Sequence, residues 1–410
     1  MTVSLLPDVL IAGAGPAGSA LAIHLARAGH RVVVVDRARF PREKPCSEYL
    51  SPAAVAELAG VGATESLIAD GAQPLYGTRV IAPHGAVLTG RFDRSAAAAE
   101  GLAVARRVLD ARLVDLARRA GAEVREGCAL EELIYEQGAV AGAVLRDQDG
   151  RTDVLRARLV VGADGLRSQV ARRIGRRRYG APDRLALVAH VGDVSGLDGH
   201  AEMHVGGEGY VGLNRIGRGT GPARENVANV ALVLPRRLAP AARGRVSEFF
   251  FERLEQFPGV AGRVRPDLVV REILVTGPFA AWSGRIVVDG ALLVGDAADF
   301  FDPFTGEGIH SALAGARLAA GVIGPALATG EGVLRAPALA PYVAARRRAF
   351  LGKWMVERLV GYGMLAPRLF DRAVARLASR DLGHTFVGVT AGMLPARAVL
   401  NPGFLSRMVL

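Results

Sequence analysis

Gly13, Gly15 and Gly18 stand in a G-x-G-x-x-G spacing between two apolar runs, a pattern that can hold a pyrophosphate. Gly13 would make a tight turn, Gly15 would let phosphate approach the main chain, and Gly18 would let a helix pack closely on a strand. Pro16 and Ala17 fall in the first turn of that helix, whose unpaired N–H groups and partial positive charge suit an anion. A later strand ends on Asp36, an acid placed to accept ribose hydroxyls and to oppose a 2′-phosphate. Arg37 follows beside the same site.

The elements that must carry these residues are legible around them. Val9–Ala12 is apolar at every position, as in a strand buried on both faces. Ser19–Ala28 has a helical pattern, Gly29 is its stop, and Arg31–Val35 is the second strand. Two further apolar strands end in acidic turns. The first runs from Leu159 to Gly162 and leads into Asp164-Gly165. The second runs from Ala291 to Val294 and leads into Gly295-Asp296, followed by Asp302-Pro303-Phe304-Thr305-Gly306-Glu307-Gly308-Ile309. By its residues alone Asp164 also suits a helix cap.

With these three turns in place, the chain resembles the p-hydroxybenzoate-hydroxylase-like flavoproteins. The resemblance spans residues 9 to 320 and implies FAD as cofactor. It places Asp164 and Gly165 beside the pyrophosphate and Asp296 on the ribitol chain. Gly306, Gly308 and Ile309 would open a long helix under the pyrimidine edge of the flavin ring. A helix N-terminus there would stabilise the negative charge of reduced flavin. Arg106, followed by Leu109-Asp110, matches the family's R-x-x-L-D helix and would sit near the phosphates or the flavin edge; a surface arginine is the other reading.

Asp299 and His310 stand where the aromatic hydroxylases usually have His and Asn. The segment Phe40–Glu48 and the Asp302–Gly308 phrase resemble instead the geranylgeranyl-reductase-like branch, with Cys46-Ser47 in place of its usual Cys-Gly. Arg42 and Lys44 are expected at the FAD phosphates. Cys46 would lie near the flavin, as a functional thiol or as a small packing residue. Pro303 would shape the ring's oxygen-adduct side. His310, at a helix N-terminus, would favour its neutral form and donate to flavin or substrate, or make a structural hydrogen bond.

The fold class expected is α/β: a Rossmann-like FAD-binding domain with an inserted, mostly antiparallel β-sheet substrate domain and a helical C-terminal region. The FAD domain takes residues 1–75, 101–180 and 284–330, the substrate domain 76–100 and 181–283, and the tail 331–410. Within the insert, Leu185–Asp193, Ala201–Val205, Gly209–Ile216 and Asn226–Leu234 alternate as antiparallel strands do. A helix near Val246–Gln256 and a returning strand Leu268–Leu274 follow. His190, His204, Tyr210 and Asn214 are candidates to face the flavin from this roof. Pro337 and Pro341 suggest a joint, and Tyr342–Met364 an amphipathic helix with a basic start.

The 410 residues are half hydrophobic, 22% charged and carry a net charge of +11. His310, Arg317 and Pro325 interrupt Ile309–Ala328, so no spanning helix is expected, and the N-terminus has no signal-peptide pattern; the compartment expected is cytoplasmic. Two cysteines make no disulfide framework and no metal-ligand spacing. Aromatics, at 6%, do not interleave with the arginine clusters, which argues against nucleic acid as partner. The basic balance also suits attraction to an anionic membrane surface.

The resemblance does not choose between hydroxylation and double-bond reduction; a monooxygenase is the leading expectation. NAD(P)H would reduce FAD transiently, O2 would add as a flavin C4a-hydroperoxide, and an apolar aromatic or polyketide-like small molecule would be hydroxylated. The alternative is a reductase of isoprenoid or enone double bonds. A third reading is an electron-transfer module for a protein redox partner.

Overall fold

The computed structural model describes residues 6–92, 101–217 and 226–409. The expected substrate-domain stretch 76–100 therefore has its last part, 93–100, outside the described residues. The chain enters through β1 (Val9–Ala12), turns into α1 (Pro16–Arg27) with a proline in its first turn, and returns as β2 (Val32–Asp36). β1 and β2 pair in parallel, Val9 opposite Val32. A short β3 (Tyr49–Leu50) follows. The hairpin β4 (Gly77–Ile81) and β5 (Val87–Arg91) leaves this layer altogether. α2 (Arg106–Arg119) and β6 (Glu123–Glu126) return to it, and β7 (Leu159–Gly162) leads into the short α3 (Gln169–Ile174).

The insert is built from β8 (Arg184–Gly192), β9 (His200–Val205), β10 (Tyr210–Gly217), β11 (Val227–Pro235) and the short β12 (Leu274–Thr276). β13 (Val287–Val288) and β14 (Ala291–Leu293) close the first layer, giving a six-stranded sheet ordered β13-β14-β7-β1-β2-β6. A second sheet of seven strands runs β12-β8-β11-β10-β9-β4-β5. β1, β7 and β14 are buried at every residue, because helices cover one face of the first sheet and a smaller three-stranded sheet the other.

Five helices end the chain: α4 (Gly308–Ala328), α5 (Ala336–Gly363), α6 (Pro367–Ser379), α7 (Gly383–Thr390) and α8 (Pro402–Val409). α4 is long and apolar enough to cross a membrane by length and composition, despite His310, Arg317 and Pro325 within it. Half of it is buried within the fold, where it packs on α1, so its apolarity serves the core.

Two local expectations fail for physical reasons. The returning strand over Leu268–Leu274 is a 3-10 turn at Pro266–Leu268 followed by a strand only from Leu274. Arg271 turns inward between them, its guanidinium 3.2 Å from the Val188 carbonyl and 3.4 Å from Glu43, and interrupts the ladder. Pro337 and Pro341 make no joint, because both lie within the first two turns of the continuous α5. Pro337, in the first turn, gives up an N–H that has no partner there anyway, while Pro341 lies inside the helix and forgoes one main-chain bond without ending it.

Candidate active site

The three predicted turns converge on one cavity of about 1080 Å³ at the carboxyl ends of β1, β7 and β14, roofed by the seven-stranded sheet. At the first turn Gly13 donates to the Val35 carbonyl at 2.7 Å with φ +103°, a conformation that favours glycine. A side chain on Gly18 would overlap the Gly13 carbonyl, so Gly18 works behind the cavity, letting α1 sit against the turn. Asp36 accepts from the main-chain N–H of Ala14 (2.8 Å) and of Ala38 (2.9 Å), which fixes the turn while the carboxylate still faces the cavity.

Two guanidiniums meet over Gly15, and the Lys44 amine stands over Gly165. A methyl on Gly15 would stand 3.7 Å from Arg42 Nη2 and 3.9 Å from Arg106 Nη2. Arg106 holds Asp110 with two bonds of 2.8 Å, and Arg42 reaches the same carboxylate at 2.8 Å. Burial opposes the Arg106 charge, and Asp110 and Cys46 together outweigh it, so its pKa rises. The Lys44 amine is pushed below its ordinary value by burial and by Arg42 and Arg106 beside it, although Asp296 and Asp110 pull the other way. Two guanidiniums sharing one fully buried aspartate, with the Lys44 amine nearby, leave an excess of positive charge at the mouth of a helix, which a pyrophosphate fits.

The acidic turns differ from each other. Asp164 accepts from the N–H groups of Gln169 (2.6 Å) and Val170 (3.3 Å) and from Ser168, so it caps α3 as well as lining the cavity. Asp296 lines the cavity at its base. Burial pushes its carboxyl above the ordinary carboxylate range, against the pull of Lys44, Arg106 and Arg177. Gly295, at φ +57°, packs against Ala17 behind that surface. A ribitol hydroxyl could satisfy Asp296 where water is excluded.

The turn from Pro303 to Gly306 opens α4, with Gly306 at φ +70° under the ring of Tyr49. Pro303, Gly306, Gly308 and Ile309 line the cavity. His310 does not. Its Nδ1 lies 2.6 Å from Glu307 Oε2, and the pair packs beside Gly392. Of the two roles expected of His310, its position serves the structural hydrogen bond and not donation to flavin or substrate, because that nitrogen is spent on a neighbour one helical turn away.

Cys46 lines the cavity, and its sulfur accepts the N–H of Glu48 at 3.3 Å. Glu48, which sequence reasoning passed over, is fully buried at φ +57°, a rare conformation for a non-glycine residue. Its carboxylate bonds to the Arg106 N–H (2.9 Å), His190 Nε2 (2.7 Å) and Asn229 Nδ2 (2.9 Å). This ties the Cys46 loop to both α2 and the roof. His190 thus faces the cavity side but serves as a strut. His204 points to the other face of the sheet, where it meets Glu202 at 2.8 Å and packs against Gly259.

The pairing registers order the roof. Val188, Ala231, Gly212, Met203 and Val80 form one line across five strands, all facing the cavity. Two residues along, the facing positions turn polar: His190 opposite Asn229, Asn229 opposite Asn214, and Thr78 opposite Ala201. Asn214 Nδ2 and Asn229 Oδ1 are buried without a protein partner. Tyr210 also lines the cavity, but its hydroxyl donates to Asp302 at 2.7 Å, and Asp302 is in turn held by Arg184 at 2.9 Å. Phe279, Phe300 and Phe304 complete the apolar wall.

Residues 7–335 match the family described as FAD binding domain. The chain is 34% identical over 322 residues to the menaquinone reductase of Mycolicibacterium smegmatis, covering 76% of this chain and 75% of that protein. It is 30% identical over 332 residues to the digeranylgeranylglycerophospholipid reductase of Methanothrix thermoacetophila, covering 79% of each. Among solved structures, a myxobacterial chondrochloren halogenase superposes with a TM-score of 0.79 at 24% identity, covering 98% of this chain and 95% of that one. At that identity the last likeness is one of fold.

Proposed function

This chain belongs to the FAD-binding-domain family, as an FAD-dependent oxidoreductase of the p-hydroxybenzoate-hydroxylase-like superfamily, and from that premise we propose that it saturates a carbon–carbon double bond in an apolar, isoprenoid-type molecule. The observation that carries this reading is the roof. Its middle line is wholly apolar, and its one facing phenol, Tyr210, is spent on Asp302. Oxygen transfer to a phenol gains from a base that ionises it. An alkene needs none. The names of the two reductases, each at least 30% identical over three quarters of this chain, support the same reading.

Bound and reduced, FAD supplies the two electrons and one hydrogen of such a reduction, with NAD(P)H as the reductant typical of this family. The protein supplies the rest. Lys44, Arg42 and Arg106 hold the pyrophosphate side, and Asp296 the sugar-alcohol side. The apolar line of the roof accepts the hydrocarbon and excludes water. Asn214, which lines the cavity, offers its unpartnered Nδ2 as a donor to an oxygen-bearing head group at the polar end. The second hydrogen arrives as a proton. Tyr49 holds one on the cavity wall beside Gly306, and burial, then the charge of Glu307, raises its pKa so that it stays protonated.

The test is the product formed under isotopically labelled O2 with NAD(P)H and unsaturated prenyl substrates. The expected product gains two hydrogens and no labelled oxygen, and Tyr49→Phe slows its formation by about 10²–10⁴-fold while NAD(P)H still reduces the flavin. A hydroxylated product carrying the label overturns the proposal in favour of the oxygen-transfer reading.

A further inference from the structure

From the geometry of α5 and α6 we infer that this face is a docking surface for an anionic lipid bilayer. Every exposed residue from Pro337 to Ala378 is apolar, tyrosine or arginine. On α5, Arg347, Leu351, Met355, Arg358, Leu359 and Tyr362 recur at three- and four-residue spacing, so they share one side of the helix. Leu365, 59% exposed, and Leu369, 49% exposed, carry the stripe across the turn into α6. On α6, Arg368, Arg372 and Arg376 repeat every four residues beside it, while Val374 and Leu377 face the core.

The charges are sorted, and this sorting selects the partner. The stretch contains two acids, and both are engaged: Glu357, buried, pairs with Lys353 at 2.9 Å, and Asp371, half-buried, accepts the main-chain N–H of His84 at 2.9 Å. Arg346 also turns inward, bonded to Asp299 at 2.7 and 2.9 Å. The arginines left outside have no exposed acid among their neighbours in this stretch. A protein partner would be met by hydrogen-bonding side chains at its rim. This face offers large apolar side chains framed by guanidiniums, the pairing that an acyl boundary and anionic headgroups complement.

The surface adjoins the cavity wall. Phe370 of α6 packs edge-on against Phe304 at 6.5 Å between ring centres, and Phe304 lines the cavity, as does Phe386 of α7. A molecule partitioned into the bilayer would thus have its reaction site next to the docked face. α5 to α7 lie beyond residue 335, where the family match ends. The inference does not depend on the reaction proposed above, since vesicle binding is read without substrate.

The experiment is cosedimentation of the FAD-loaded protein with vesicles of phosphatidylcholine alone and of equimolar phosphatidylcholine and phosphatidylglycerol. Binding about tenfold or more tighter to the anionic vesicles, and weakened by salt, is expected. Leu351→Glu with Met355→Glu should abolish it, and Arg347→Glu with Arg348→Glu should remove the preference for anionic lipid, with flavin content unchanged in both. Three results would overturn the inference: equal or no binding to the two vesicle types, binding that survives both variants, or a concentration-dependent dimer that the Leu351→Glu, Met355→Glu variant dissolves.

Discussion

At the scale of single residues, Asp296 has opposite effects with and without cofactor. Burial raises its pKa. Between the ordinary carboxylate value and the raised one, the folded flavin-free protein binds a proton that the unfolded chain has released. Its stability therefore falls as pH rises through that window. Asp296→Asn removes this ionisation. The flavin-free variant is expected to melt no lower than the parent at pH 7, and its apparent Kd for FAD to rise about tenfold or more, from loss of a charged hydrogen-bond acceptor. Thermal melts and flavin titration check both, and unchanged flavin affinity would refute the assignment. The glycines and acids of the three turns were legible because their roles depend on spacing along the chain. Glu48, Tyr49 and the Asn214–Asn229 pair were less so, since their roles depend on which strand crosses which, while the structural hydrogen bond offered for His310 is the one it makes, to Glu307.

At the scale of elements, the phosphate turn works only while α1 stays close to β1. A methyl group on Gly18 would overlap the Gly13 carbonyl, a main-chain atom that cannot rotate aside. Gly18→Ala must therefore push α1 out and lift its N–H groups away from the pyrophosphate. Such overpacking costs typically 1–3 kcal/mol. The expected outcome is a lower melting temperature together with loss of bound FAD, read from flavin absorbance of the purified variant; a fully flavinated variant of unchanged stability would contradict this account of the turn. The roof strands were read from alternation to within one residue at most ends, β8 at Arg184–Gly192 against an expected Leu185–Asp193. Alternation failed at Leu268–Leu274, where an inward arginine replaced the ladder. It gave no hint of the line from Val188 to Val80, because pairing partners lie far apart in sequence.

At the scale of the whole molecule, a parallel sheet that holds a dinucleotide and an antiparallel sheet that roofs it make one chamber with a charged end and an apolar one. The charged end is what the sequence motifs describe, and it is shared by reductases and oxygen-using enzymes alike. The apolar end, and the paired state of Tyr210, point to an alkene. The most direct test is anaerobic: the flavin is reduced and freed of excess reductant, then mixed without O2 with unsaturated prenyl substrates. The account predicts that substrate alone reoxidises the flavin and emerges two hydrogens heavier. A flavin that stays reduced until O2 is admitted, and a substrate that then gains oxygen, would contradict it.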